Sequence, residues 1–168
     1  MTGFRVPAAT YRLQFHHGFR FLNAQALVPY LHDLGISDLY ASPFFKARRH
    51  SLHGYSVTNP LEINPELGSK VSLRALRKVL KSKDMGLLLD IVPNHMALSH
   101  HNPWWLDVLE NGTGSPFAVF FDIDWHPFNR VLAGRIIQPV LGSPYGQSLE
   151  NQEFRLALEE EGFFYLLL

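Results

Sequence analysis

The stretch LLLDIVPNHM, residues 87–96, joins an aliphatic run to three side chains that can do chemistry, Asp90, Asn94 and His95. A neutral histidine donates or accepts one hydrogen bond at each ring nitrogen, and an asparagine amide does both at once. These groups are suited to the hydroxyls of a sugar ring. A single aspartate at a strand end is equally suited to holding a turn or an ion pair, so its type alone leaves both roles open.

A second group, His53-Gly54-Tyr55, lies earlier in the chain. A tyrosine ring can cover the apolar C–H face of a pyranose while its hydroxyl reaches a polar partner. Gly54 would let the backbone bring that ring close. Taken singly, His53 is more readily interpreted as a structural residue and Tyr55 as part of a core. The two indicate a substrate site only if they lie close to Asp90.

The hydrophobic pattern predicts the elements that must position these groups. Apolar residues at helical spacing predict helices in NAQALVPYLHDLG and VSLRALRKVLKSKDMG. In the first helix, we expect Asn23 to cap the start, Pro29 to kink the helix and Gly35 to end it. Strands are predicted over residues 9–15, in ISDLYASP and in LLLDIV.

This alternation of strand, helix, strand, helix and strand is typical of an α/β fold. The third strand is apolar almost throughout, as in parallel strands covered on both faces. Sites in parallel α/β barrels lie at the carboxyl ends of the strands. We therefore expect the loop that carries Tyr55 and the turn that follows Asp90 to converge.

The regular alternation stops after Asn94. Residues 98–146 contain five prolines, and NPWWLDVLENG is the one short helix predicted there. This stretch is interpreted as an insertion beside the barrel. The chain finishes in six apolar or aromatic residues, FFYLLL, a hydrophobic tail that resembles half of a hairpin without its partner.

Composition excludes several classes of protein. Fifteen basic residues balance fifteen acidic ones, so the sequence predicts no nucleic-acid partner. No window reaches the roughly 20 apolar residues of a membrane span, so no membrane association is predicted. The chain has no cysteine, which favours the cytoplasm, and its nine histidines lack metal-ligand spacing. We expect no metal ion.

Motifs in a fixed order resemble the maltooligosyltrehalose synthases, a subfamily of glycoside hydrolase family 13 in the alpha-amylase superfamily. The resemblance covers about residues 7–158. It rests on ATYRLQFHHGF, LVPYLHDLGISDLYASP, HGYSVTNP, INPELG, LLLDIVPNHMA, NPWWLDVLENG, FFDIDW and PVLGSPYG.

The resemblance implies the first three βα units of a (β/α)8 TIM barrel, plus the start of a domain inserted after the third strand. Residues 1–97 would belong to the barrel and residues 98–168 to the inserted domain. The implied reaction is an intramolecular transglycosylation of a maltooligosaccharide or linear α-1,4-glucan, in which the reducing-end α-1,4 bond becomes an α,α-1,1 bond. No cofactor is implied. A separate hydrolase would then release trehalose.

The resemblance also implies roles for individual residues. Those expected to contact the substrate are Tyr55, which would stack on the sugar at the cleavage subsite, together with His95, His53 and Arg48. Those expected to support the site are Asp90, Asn94 and Gly54. The subfamily usually has acids at the positions of Ser56 and Asn59, and their replacement could loosen the loop.

Retaining glycosidase chemistry needs two carboxyl groups about 5 Å apart. In the superfamily the nucleophile and the acid/base come from the fourth and fifth strands, so both are expected beyond Leu168, and the chain alone is expected to be inactive. Three alternatives stay open. They are an α-amylase-type hydrolase, a non-catalytic glucan-binding module using Tyr55, Trp104, Trp105 and Trp125, and a translated remnant without function.

Overall fold

The computed structural model describes residues 6–138 and 141–158 and the backbone of Phe164–Leu167. It divides into two compact units, Met1–Asp122 and Ile123–Leu168. The first unit contains, in chain order, β1 (Thr10–Leu13), α1 (Phe21–Asp33), β2 (Asp38–Ala41), β3 (Phe45–Ala47), β4 (Val57–Ile63), α2 (Lys70–Ser82), β5 (Gly86–Leu89) and α3 (Pro103–Asn111).

Strands β1, β2 and β5 form a parallel sheet in that order, which confirms the predicted βαβαβ succession. In its register Arg12 lies opposite Tyr40, and Tyr40 lies opposite Leu88. Neighbouring residues of a strand point to opposite faces. Leu39 and Ala41 of β2 and Leu13 of β1 are buried, so the face that carries Arg12 and Tyr40 is the opposite one.

The hydrophobic core lies between the sheet and helices α1 and α2. Both helices place apolar side chains against the sheet at the spacing of one helical face. Burying such side chains stabilises the fold by about 25 cal/mol for each Å² of apolar surface removed from water. The buried cluster consists of Leu13, Phe15, Phe21, Ala24, Val28, Leu31, Leu39, Ala41, Phe44, Leu67, Leu76, Leu80 and Met85.

The ends of α1 differ in part from the sequence-based expectation. The helix begins at Phe21, so Arg20 and not Asn23 is its N-cap. The Asn23 side chain instead accepts a hydrogen bond from the Arg20 backbone N–H at 2.9 Å, one turn into the helix. Gly35 follows the helix with a φ of +86°, which confirms the predicted end. Pro29 lies inside the helix, and the kink stays a prediction.

The prediction that the third strand is buried on both faces was wrong. β5 is an edge strand of the sheet, and Leu88 and Leu89 are 37% and 48% exposed. Leu88 lies on the face opposite the helices, while Leu89 lines an open groove between α2 and β5. An apolar run indicates that a strand can be buried, but the neighbours that cover it decide whether it is.

The polar segment between β2 and α2 contains an antiparallel hairpin that the sequence pattern did not predict. Its strands β3 and β4 pair with two register shifts, which interrupt the regular alternation of polar and apolar residues. Pro60 lies within β4 and lacks a backbone N–H. The loop between the two strands, residues 48–56, carries the His53-Gly54-Tyr55 group.

Helix α3 confirms the short helix predicted after the third strand. Asn102 caps it, since its side-chain oxygen accepts from the backbone N–H groups of Trp104 and Trp105 at 3.1 and 3.3 Å. The Asn102 amide also donates to the Ala97 carbonyl at 3.0 Å. Ala97 in turn donates its backbone N–H to Val57 in β4 at 2.7 Å. The chain after Asp90 is therefore tied to the hairpin that carries the loop.

The second unit contains α4 (Tyr145–Glu150) and an antiparallel hairpin of β6 (Arg155–Leu158) and β7 (Phe164–Leu167). The expectation that the apolar tail lacks its hairpin partner was wrong, because β6 is that partner. Residues 139–140, 159–163 and 168 lie outside the described residues, including the first two of the PVLGSPYG motif.

Candidate substrate site

Asp90 directly follows the last residue of β5 and lies on the face of the sheet opposite the helices, which is called the polar face below. The strand ends at Leu89, and the Asp90 backbone N–H still donates to the Ala41 carbonyl at 3.0 Å. This bond extends the parallel ladder by one residue. Asp90 therefore keeps the alternation of the strand and lies on the same face as Leu88, Tyr40 and Arg12.

Three side chains converge on one oxygen of Asp90. The Tyr55 hydroxyl donates to Oδ2 at 2.6 Å, and the Tyr40 hydroxyl donates to the same atom at 3.3 Å. The Arg12 Nη2 atom lies 3.6 Å from it. The Asp90 side chain is 12% exposed, so these contacts are shielded from water more than surface pairs are. The carboxylate joins two strands of the sheet to the loop.

The Tyr55 ring is held over the carboxyl ends of the strands by a tightly packed loop. Gly54 has a φ of +78°, and a Cβ atom at this position would lie 2.5 Å from the Pro43 carbonyl oxygen. The Gly54 backbone N–H donates to the Ser51 hydroxyl at 3.1 Å. The Arg48 backbone N–H donates to the Ser56 carbonyl at 2.9 Å and closes the base of the loop. Gly54 therefore lies in close backbone contact with Pro43, and its role at the site stays a prediction.

His53 lies beside Tyr55 and contacts it through both its ring and its Nδ1 atom. Their ring centroids are 5.9 Å apart with an angle of 20° between the planes, a stacked arrangement. The His53 Nδ1 atom accepts a hydrogen bond from the Tyr55 backbone N–H at 3.0 Å. That bond requires Nδ1 to be unprotonated, so a neutral His53 carries its proton on Nε2. Both side chains are exposed, with Tyr55 at 36%.

The contacts around Asp90 raise the pKa of two groups, Tyr55 and Arg12. The hydrogen bond to Asp90 raises the pKa of the Tyr55 phenol, and partial burial adds to this, while Arg12 opposes it. Desolvation lowers the pKa of the Arg12 guanidinium. Hydrogen bonds to Tyr55 and Tyr40 and the charge of Asp90 outweigh that effect, so the pKa of Arg12 lies above its ordinary value.

Tyr55 is therefore expected to lose its phenolic proton at a higher pH than a free tyrosine, which has a pKa of about 10. Because the pKa of Tyr55 is raised in the folded state, its contact with Asp90 stabilises the fold fully at pH values below the ordinary pKa of tyrosine. That stabilisation is lost as the pH rises through the raised value. The ultraviolet absorbance of tyrosinate, compared between the wild type and Tyr55→Phe, measures the Tyr55 component.

Tyr30→Phe is the control, since Tyr30 is 63% exposed and lies on α1. A Tyr55 difference curve centred at or below about 10, the ordinary tyrosine pKa, would contradict the hydrogen bond to Asp90.

The other predicted site residues are exposed but differ in what they contact. The His95 Nδ1 atom lies 3.2 Å from the side-chain oxygen of its neighbour Asn94, so this contact does not use the Nε2 atom. Arg48 is exposed and takes part in the base of the loop through its backbone. Contacts therefore connect Tyr55 to Asp90 and to its loop neighbours His53 and Gly54. Among the described residues, the hydrogen bonds of His95 and Asn94 connect those two to each other.

Sequence analysis missed Arg12 and Tyr40 as members of the cluster. Arg12 lies across the Tyr40 ring, with Cζ 5.5 Å from the ring centroid. A signal was present in TYRLQF, because a charged residue in the middle of an alternating strand must face away from the core. It identifies Arg12 as a residue of the polar face, but the partner strand becomes known only from the register.

Two tryptophans of the proposed binding module, Trp104 and Trp105, pack against neighbouring aromatic rings. Trp105 is 4% exposed and packs on Phe121, with ring centroids 5.1 Å apart. Trp104 is half-buried and stacks on Phe117 at 5.2 Å. These rings pack helix α3 against the segment that follows it. Trp104 and Trp105 therefore have a structural role.

Among the described residues, no three or more His, Cys, Asp or Glu side chains are grouped so that they could hold a metal ion. Among the helices of that same part of the chain, none is both long and apolar enough to cross a membrane.

The comparison with protein families matches residues 25–142 to the alpha amylase catalytic domain. A putative maltooligosyl trehalose synthase of Mycobacterium tuberculosis is 46% identical over 142 residues, which are 80% of this chain and 18% of that protein. A maltogenic alpha-amylase of Bacillus acidopullulyticus is 36% identical over 100 residues, or 60% of this chain and 16% of that protein.

Solved structures of maltooligosyltrehalose synthases are also similar to this chain. Maltooligosyltrehalose synthase from Arthrobacter ramosus superposes with a TM-score of 0.78 at 37% identity, covering 90% of this chain and 19% of that one. A hypothetical maltooligosyl trehalose synthase of Sulfolobus tokodaii superposes with a TM-score of 0.77 at 34% identity, covering 98% and 21%. The chain spans about a fifth of the length of these relatives.

Proposed function

Because the chain belongs to the alpha-amylase catalytic-domain family, we propose that it forms the substrate-contacting part of a glucan transglycosylase. Its α/β fold resembles the N-terminal part of an alpha-amylase-type TIM barrel. The proposed reaction converts the reducing-end α-1,4 bond of a maltooligosaccharide into an α,α-1,1 bond within the same molecule. The product would carry a terminal trehalosyl unit, which a separate hydrolase would release as trehalose.

The observation that carries this proposal is the contact between Tyr55 and Asp90. It holds an exposed aromatic ring at the carboxyl ends of parallel strands, where sites of barrel enzymes lie. An aromatic face at such a position suits the C–H face of a glucose ring. The likeness to synthases over 80% of the chain supports a linear α-1,4-glucan as the substrate.

The residue roles follow from this arrangement. Tyr55 would stack on the sugar at the cleavage subsite, while His95 through Nε2, His53 and Arg48 would reach its hydroxyls. Asp90, Asn94 and Gly54 would hold the two loops. We propose that no catalytic residue lies within these 168 residues, so the nucleophile and the acid/base would be supplied from outside them.

The proposed domain organisation assigns residues 1–97 to the first three βα units of a (β/α)8 barrel. Residues 98–168 would belong to a domain inserted after the third strand. The parallel order of β1, β2 and β5 supports the assignment of residues 1–97. Residues 98–122 lie in the same compact unit as these strands, so the start of the inserted domain stays a prediction.

The test uses the complete product of the gene that encodes this chain, incubated with maltohexaose. We expect reducing ends to disappear while little glucose is released, because the new α,α-1,1 bond leaves no reducing end. Release of mainly glucose or maltose would overturn the transfer reaction in favour of hydrolysis. The 168-residue chain alone, assayed in parallel, is expected to bind maltohexaose without consuming it.

A further inference from the structure

The side chain of Gln14 connects strand β1 to the loop that carries Tyr55. Its Oε1 atom accepts a hydrogen bond from Arg12 Nη1 at 2.7 Å, and its Nε2 atom donates to the Leu52 carbonyl at 3.0 Å. The same Nε2 atom lies 3.4 Å from the Phe15 carbonyl. Gln14 is half-buried and lies just beyond the end of β1.

The chemistry of these partners explains why an amide occupies this position. A guanidinium can only donate hydrogen bonds, and a backbone carbonyl can only accept them. A single side chain that bridges the two must accept at one atom and donate at another, which an amide does without adding charge. A carboxylate would keep the bond to Arg12 and would face the Leu52 carbonyl without a proton to donate.

The bridge continues to the aromatic ring through Arg12. The guanidinium uses Nη1 for Gln14 and Nη2 for the Tyr55 hydroxyl at 3.3 Å. Leu52 lies three residues before Tyr55 in the same loop. The loop is therefore linked to this end of β1 at two points, the Leu52 carbonyl and the Tyr55 hydroxyl, and Gln14 contacts the first directly and the second through Arg12.

We propose that Gln14 is a positioning residue for Tyr55, which fixes the ring in the orientation that stacks on a glucose ring of the glucan. This inference rests on the proposed function for its substrate. The ring itself contacts the sugar, whereas Gln14 acts through Arg12 and the Leu52 carbonyl. Without the bond from Gln14 to the Leu52 carbonyl, the ring could turn about the hydrogen bond between the Tyr55 hydroxyl and Asp90.

The test compares three variants of the 168-residue chain. Gln14→Glu keeps the bond to Arg12 and loses the bond to Leu52, and Gln14→Met removes both bonds at similar size. Thr10→Ala is the matched control, because Thr10 is an exposed residue of β1 with the same parity as Gln14. Circular dichroism verifies that each variant is folded.

Two readouts are recorded for each variant. The first is the nuclear magnetic resonance signal of the Tyr55 ring in chain with labelled tyrosine, assigned through Tyr55→Phe. The second is the Kd for maltohexaose. We expect Gln14→Glu and Gln14→Met to shift the Tyr55 signal and to raise Kd roughly three- to tenfold, the value of one hydrogen bond. Thr10→Ala should match the wild type in both.

The two readouts separate this inference from the proposed function. An unchanged Tyr55 signal and an unchanged Kd in both Gln14 variants would overturn the positioning role. A wild-type chain that does not bind maltohexaose would count against the proposed function, and the Tyr55 signal would still decide whether Gln14 holds the ring. If Gln14→Met does not fold, Gln14→Glu decides the result, since it keeps the bond to Arg12.

Discussion

Gly54→Ala is expected to lower the free energy of unfolding by about 2–5 kcal/mol and to move Tyr55 away from Asp90. Two costs combine. The φ of +78° disfavours any residue with a Cβ by about 1–2 kcal/mol. The new methyl group would also lie 2.5 Å from the Pro43 carbonyl oxygen, and such overpacking costs about 1–3 kcal/mol. Denaturant unfolding followed by circular dichroism measures the loss.

Two other glycines separate these costs. Gly35 has a φ of +86° with no atom within 4 Å of an added Cβ, so Gly35→Ala should show the backbone cost alone. Gly114 has neither a positive φ nor a close neighbour, so Gly114→Ala should be nearly neutral. Equal losses for Gly54→Ala and Gly35→Ala would refute the steric contact with Pro43.

Asp90→Ala is expected to have the largest effect on the proposed reaction. It would remove the shared acceptor of Tyr55 and Tyr40 and leave the Arg12 charge without its carboxylate. We expect the free energy of unfolding to fall by about 1–3 kcal/mol, since hydrogen-bonding groups lose their partner. Because the Tyr55 ring would lose its anchor, kcat/KM of the complete gene product on maltohexaose should fall roughly 100-fold.

Asp90→Asn separates charge from geometry. The amide can still accept a hydrogen bond from Tyr55, so the loss of stability should be smaller. The pKa of Tyr55 should return towards its ordinary value, because the carboxylate is the largest cause of the upward shift. Asp33→Ala, at a side chain 77% exposed, is expected to change stability by no more than about 0.5 kcal/mol. Full activity in Asp90→Ala would contradict the supporting role.

The contact between Tyr55 and Asp90 was predictable from sequence in outline. Strand alternation and an apolar run locate Asp90 at the end of a parallel strand, and parallel strands bring their carboxyl ends to one edge of the sheet. The loop that carries Tyr55 leaves from the same edge. Convergence follows from this topology without knowledge of any contact distance. The substrate roles of these residues stay predictions.

The remaining members of the cluster required the structure. Arg12 and Tyr40 become partners because they are paired in the register of β1 and β2, and a shift of β1 by one residue would send Arg12 to the core face, away from Tyr40. Gln14 is recognisable only from its two partners, one of which is a backbone carbonyl. Sequence patterns record side-chain types and cannot show which carbonyl a folded loop presents.

The order of the parallel sheet has a consequence for how the chain folds. In the central strand, residue 38 pairs with residue 10 on one side and with residue 86 on the other. Closing the longer loop costs more chain entropy, and such distant contacts form more slowly. We therefore expect β1, α1 and β2 to associate first and β5 to join them later. Asp90 arrives with β5, so the cluster around it would be assembled in the last stage of folding.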